Sequence, residues 1–248
     1  SQVTDMGSLF YQKSEFNEDI NNWDVSNVTS MSGMFSDARK FNKPLNKWNT
    51  SNVTNMRSMF NNSDFNKPIN TNVQTDSDGN KYIAWNVSNV GDMSTMFNKC
   101  EDFNQPLSNW DTRNVTTMRR MFLFDWNDNS LFNQNLSQNE VQLKDNEGND
   151  YGSPYTAWDV SNVETMHEML RECKNFNNGS VDEDGNPSSE AQNPLVWNPV
   201  NVTHMQSMFH NCVIFNSEMK SEWTRDEEDN LTITTWDVSK SRNMISMF

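Results

Sequence analysis

The sequence predicts an α/β fold, a leucine-rich-repeat-like solenoid of about eight short coils, each a strand followed by a helical turn or two. Three observations predict it. A phrase built on Trp recurs along the chain; Met and Phe fall at fixed offsets from that Trp; and extra residues enter at only one point of the phrase. The indoles of the phrase are Trp23, Trp48, Trp85, Trp110, Trp158, Trp197 and Trp236, and each is followed eight residues later by a Met, then three further on by a second Met and at once by Phe, with Leu170 the only departure from Phe. These columns absorb 14 of 15 Phe and 15 of 16 Met, which excludes coincidence and marks a core built by repetition.

The helical element is read from Val28, Met31, Met34 and Phe35, spaced i, i+3, i+6, i+7 on one face, with Ser26, Asn27 and Thr29 placed to cap it. The next repeat restates it in Met56, Met59 and Phe60. So short a helix needs neighbours to survive. Pro44, Leu45 and Trp48 read as the strand. These Trp, Met and Phe are the expected core, each contributing about 1.5–3 kcal/mol on burial. A Phe-Asn pair closes each repeat, and its amides, Asn17, Asn42, Asn66, Asn104, Asn133, Asn177 and Asn216, form an expected ladder that satisfies backbone groups at the turn.

Residues 1–248 thus read as one repeat domain with inserts at 67–84, 134–157, 178–196 and 216–235. The inserts hold 16 of the 34 acidic residues in about a third of the chain, so they are expected to form a polar edge and the likeliest contact surface. Three contain an acidic turn before Gly: Asp76 and Asp78, Asp145 and Glu147, Asp182 and Asp184. Such carboxylates are calcium candidates. The same residues signal a hairpin turn, which is the favoured reading, and no other cofactor is expected.

Only 34% of the chain is apolar and mean hydropathy is −0.87, with no apolar run long enough for a transmembrane segment. A net charge of −15 repels phosphate backbones, so nucleic acid is not an expected partner. Cys100, Cys173 and Cys212 share one column, where small and buried is the expectation and a Cys173–Cys212 bridge the minority alternative. His167, His204 and His210 fall in different columns. With no nucleophile constellation and no glycine-rich phosphate loop, an enzyme is not expected. Of the Asn-x-Ser/Thr triplets, those at Asn52 and Asn114 are expected to serve as helix caps, and those at Asn178 and Asn230 to be accessible.

The stretches "WDVSNVTSMSGMF", "WNTSNVTNMRSMF" and "FNQPLSNWDT" resemble the BspA-like bacterial surface-protein repeat, a leucine-rich-repeat relative found in mycoplasma-type lipoproteins. The resemblance spans essentially the whole chain, with departures at Ser241, Pro199 and "FLFDWNDNSLFN". It implies an extracellular or cell-surface location and adhesion to protein or glycan on another cell, matrix or particle, and it implies no catalytic residues. The alternative is a structural component of a filament, sheath or particle coat. The opening "SQVTDMGSLF" aligns to "SNVTSMSGMF" and the chain closes on Met247-Phe248, both inside a repeat. An interior portion of a longer protein, with flanking repeats as partners and a sticky, oligomerising product when expressed alone, is expected.

Overall fold

The structure, a computed structural model, describes residues 2–127, 130–190, 193–219, 223–225, 231–233 and 236–248, the last two strands by backbone alone. It overturns the expected architecture. No described residue is helical, and the six strands, all three or four residues long, lie in the inserts as separate antiparallel pairs. β1 (Asn72–Thr75) pairs with β2 (Lys81–Ala84), β3 (Asn139–Val141) with β4 (Tyr155–Ala157), and β5 (Trp223–Arg225) with β6 (Leu231–Ile233). The α/β leucine-rich-repeat-like solenoid of strand-plus-helix coils is therefore not formed, and Pro44 to Trp48 is a turn closed by Trp48 N–H on Leu45 O at 3.1 Å.

The backbone of the Met-Phe segment explains why no helix forms. In residues 31–38 the N–H groups alternate. Those of Met34, Ser36 and Ala38 close three-residue turns on Met31, Gly33 and Phe35, while those of Met31, Gly33, Phe35 and Asp37 donate to Asn55, Arg57, Met59 and Asn61 of the next repeat. A helix requires each N–H to reach back four residues. Here every second one is committed to a neighbour. Left-handed residues make the alternation possible: Ser8, Gly33, Ser58, Thr95, Arg120, Glu168, Ser207 and Ser246 have φ between 52° and 63°, and four residues further on Gln12, Asp37, Asn62, Lys99, Glu172 and Asn211 have φ between 54° and 64°. For all but Gly33 this conformation carries a steric cost.

Single parallel bridges follow the same positions from repeat to repeat, Asp5 to Ser30, Asn55, Asp92, Thr117, Thr165, His204 and Asn243. Side chains repeat the pattern. Phe35 stacks on Phe41 within its repeat at 4.0 Å between centroids and on Phe60 of the next at 5.6 Å. The indole N–H of Trp48, Trp85, Trp110, Trp158, Trp197 and Trp236 donates to the carbonyl of Ile20, Leu45, Ile69, Leu107, Leu136 and Leu195, at 2.6–3.2 Å. The core is thus a row of like residues, with a polar atom of each Trp satisfied inside it.

Met31, Met34, Phe35, Met56, Met59, Phe60 and the indoles from Trp48 to Trp197 are fully buried, and Trp236 nearly so. Trp23 departs from its place among the core residues: it is 41% exposed, touching Phe10 at 5.9 Å on one side and bordering an open trough on the other.

Candidate functional site

The Phe-Asn amides form a ladder of side chain to backbone bonds. Oδ1 of Asn17, Asn42, Asn66, Asn104, Asn133 and Asn177 accepts from the backbone N–H of Asn42, Asn66, Asn104, Asn133, Asn177 and Asn216 in turn, at 2.8–3.2 Å. Asn133 and Asn177 are buried, whereas Asn17 and Asn216 are exposed. A second amide column includes Asn52 and Asn114, the triplet residues expected to cap helices. Nδ2 of Asn52, Asn89, Asn114, Asn162 and Asn201 instead donates to the carbonyl of Ser26, Ser51, Ser88, Arg113 and Ser161 one repeat back, each at 2.7 Å. Asn178, expected to be accessible, is fully buried, with its amide on Ser137 and Pro194; Asn230 lies outside the described residues. After each Trp an Asp or Asn accepts from the N–H two residues on, as Asp24 does from Ser26 and Asp159 from Ser161. In "WNPVNV" the equivalent Asn198 Oδ1 is buried without a partner.

The inserts leave and rejoin the frame at one point. Thr71 Oγ1 donates to Trp85 O at 2.7 Å across the base of the first hairpin, and Trp85 N–H bonds Trp48 O at 3.0 Å. Trp85, Trp158 and Trp236, each entered from a hairpin, take left-handed φ of 50–52° to make the return. Insert 178–196 holds no described strand, only an antiparallel bridge from Val181 to Pro187.

The acidic turns share one geometry. Oδ1 of Asp76 accepts from the backbone N–H of Asp78 and Asn80, that of Asp145 from Glu147 and Asn149, and that of Asp182 from Asp184 and Asn186, at 2.8–3.0 Å. The carboxylates thus close their own turns through Oδ1. These bonds hold the Asp76 and Asp182 carboxyls below their ordinary value, the N–H of Asn80 and Asn186 being the largest influence in each. Among the described residues no group of three or more His, Cys, Asp or Glu is arranged to hold a metal.

The first two hairpins are tied together. Lys81 Nζ meets Asp145 Oδ2 at 2.8 Å, Tyr151 Oη donates to Lys81 O at 2.9 Å, and Tyr155 Oη donates to Asn109 O at 2.6 Å. Lys81 first, then the N–H of Asn149, holds the Asp145 carboxyl well below the usual range. Between the hairpin bases lies a cleft of about 410 Å³. Ile83 stands on one side and Leu143, Pro154 and Tyr155 on the other; Asp111 and Arg113 lie on its floor. Burial, then the Asp111 charge, pushes the Tyr155 phenol up. Sequence reasoning missed this cleft because it joins residues of two inserts and two repeats; the Tyr at corresponding places in the inserts was the available signal. A wider trough of about 900 Å³ runs below the first hairpin beside Trp23, Tyr82, Asp24 and Asp76.

Elsewhere Glu168 is buried against Arg120 at 2.5 Å, Arg171 and His167 Nε2 at 3.1 Å. Burial alone would raise its carboxyl, but the two guanidinium groups outweigh it and hold it low. The pairing completes a structural charge cluster. The three thiols are free and buried. Cys100, Cys173 and Cys212 donate to Phe65 O, Phe122 O and Leu170 O at 3.3, 2.9 and 3.0 Å, so a Cys173–Cys212 bridge is not formed.

No helix among the described residues is long and apolar enough to cross a membrane. No curated protein matches the chain, nor does any solved structure. A family model matches residues 1–81, 72–184 and 146–230, which together span most of the sequence and its whole run of Trp-Met-Phe phrases up to the last insert. The chain belongs to the family described as "Mycoplasma protein of unknown function, DUF285".

Proposed function

We propose that the chain is a non-enzymatic interaction module of a surface or secreted protein, adhering to protein or glycan on another cell, matrix or particle. The observation that carries this reading is the tied pair of hairpins: Lys81, Asp145 and Tyr151 fix two inserts beside each other so that they enclose a recessed polar surface. A preset surface binds with less ordering cost than a mobile loop. The resemblance of the repeat phrase to BspA-like surface proteins supports the same reading and the extracellular location. The acidic total, −15, favours partners that are neutral or basic.

The test is binding of the immobilised chain to intact cells, extracellular matrix proteins and a glycan panel, beside an unrelated acidic protein of similar charge. Saturable binding that survives physiological salt is the expected result. Ordered filaments formed without any ligand bound would turn the assignment toward a structural component, and absence of binding across the panel would overturn it.

A further inference from the structure

The cleft between the first two hairpins, at about 410 Å³, falls in the size range of small-ligand sites, roughly 300 to 1,000 Å³. Its floor is balanced in charge. Arg113 Nε donates to Asp111 Oδ1 at 2.8 Å and Nη2 meets Oδ2 at 2.7 Å, so both carboxylate oxygens are engaged by one guanidinium. Such a two-pronged pair offers no net charge to a ligand. An anion entering the cleft would meet Asp111, and a cation would meet Arg113.

The remaining polar groups can act in both directions. Asn89 and Asn114 donate their amide N–H to Ser51 O and Ser88 O, which leaves each with a carbonyl oxygen as acceptor. Ser88 and Ser153 line the same space with hydroxyls, which both donate and accept. The apolar side chains of the same lining are Ile83 on the first hairpin and Leu143 and Pro154 on the second. Paired donors and acceptors around a charge-neutral floor, with aliphatic side chains on both hairpins, complement a molecule with hydroxyls on its edge and C–H groups on its faces. We infer that this cleft binds a neutral oligosaccharide segment, with its hydroxyls on the Asp111–Arg113 floor and its C–H faces between Ile83 on one side and Leu143 and Pro154 on the other. The assignment rests on the interaction-module reading and names the ligand class of that site. A peptide strand is the poorer fit, because it seeks unpaired backbone at a sheet edge and the lining here is side-chain amide and hydroxyl.

The experiment presents the 248-residue chain to an array of neutral, sialylated and sulfated glycans. The best neutral hit is then titrated by calorimetry against the native chain, Ser153→Trp and Arg113→Ala. Ser153 is exposed at the rim, so an indole there plugs the cleft without touching the core. Expected are a neutral oligosaccharide among the hits and affinity weakened about tenfold or more by each substitution, with the melting temperature of Ser153→Trp unchanged. Hits confined to charged glycans, no glycan hit, or an unaltered affinity of Ser153→Trp would overturn the inference. If native and Ser153→Trp chains adhere equally to cells or matrix, the cleft assignment falls and the interaction module stands; if neither adheres to anything, both fall.

Discussion

Lys81 and Asp145, 64 residues apart, meet at 2.8 Å and join two hairpins that belong to different repeats. The Asp145 carboxyl sits well below its ordinary value of 3.8 and the Lys81 ammonium above its ordinary 10.5, each chiefly because of the other. The contribution of Asp145 is therefore complete above the unfolded carboxylate value and is lost as pH falls through the lowered folded one. That of Lys81 is complete below the unfolded lysine value and is lost as pH rises through the raised folded one. The tie should hold across the neutral range and fail at both extremes. Amide exchange at Glu147 and Asn149 reports it: Lys81→Met should speed exchange there severalfold at neutral pH, with little effect at Val28 or Val115.

Replacing Trp110 by Phe removes the indole donor to Ile69 O and leaves a buried carbonyl unpaired beside a small void. A loss of about 2–4 kcal/mol is expected from urea unfolding. The same change at the exposed Trp23 should stay within about 1 kcal/mol.

Asn133 is a rung engaged at both ends of its amide: Oδ1 accepts from Asn177 and Gly179 N–H at 2.8 and 2.9 Å, and Nδ2 donates to Ser180 O at 2.8 Å. Asn133→Ala should cost about 2–4 kcal/mol, because it strands two buried donors. Asn133→Asp restores the acceptor and should recover part of that loss. Asn17→Ala, at the exposed end of the ladder, should cost about 1 kcal/mol or less in the same denaturation series.

Ser207 and Gly33 occupy the same left-handed position in different repeats, at φ 54° and 63°. Ser207→Gly should be neutral or stabilising by a few tenths of a kcal/mol, the relief of strain being offset by a freer unfolded chain. Gly33→Val should lower stability by about 1–3 kcal/mol. Opposite signs in thermal melts are the expected result; equal effects would count against the left-handed assignment.

Burial pushes the Cys100 thiol up to about 12, so at neutral pH all three cysteines should resist a water-soluble disulfide reagent in the native protein and react only on unfolding. Rapid native labelling of Cys100 would show that its column is open.

The core could be read from the sequence because Trp, Met and Phe are chemically distinctive and sit at fixed offsets. The secondary structure was misread for an instructive reason. Val28, Met31 and Met34 step by three, and the helix assignment took that as one sampling of a 3.6-residue period. A turn closed by an N–H on the carbonyl three residues back, as Val28 on Val25 and Met34 on Met31, spans the same interval. The deciding feature is the left-handed backbone at Ser58, Thr95, Arg120 and Glu168, residues with no preference that announces it. The amides were legible as polar groups satisfying backbone, but the direction in which Asn52 and Asn114 reach, backward to the preceding repeat, depends on stacking that no local window contains. The cleft was beyond a linear reading, since Ile83 and Tyr155 become neighbours only when two inserts lie side by side.

Thr71 and Trp85 clasp the base of the first insert, and everything outside that clasp can change length without moving an indole. A lineage built this way can lengthen, shorten or rewrite its edge while the interior is inherited intact. Novelty in what such a molecule touches comes from editing one permissive joint, so relatives should diverge fastest between the Phe-Asn pair and the next Trp.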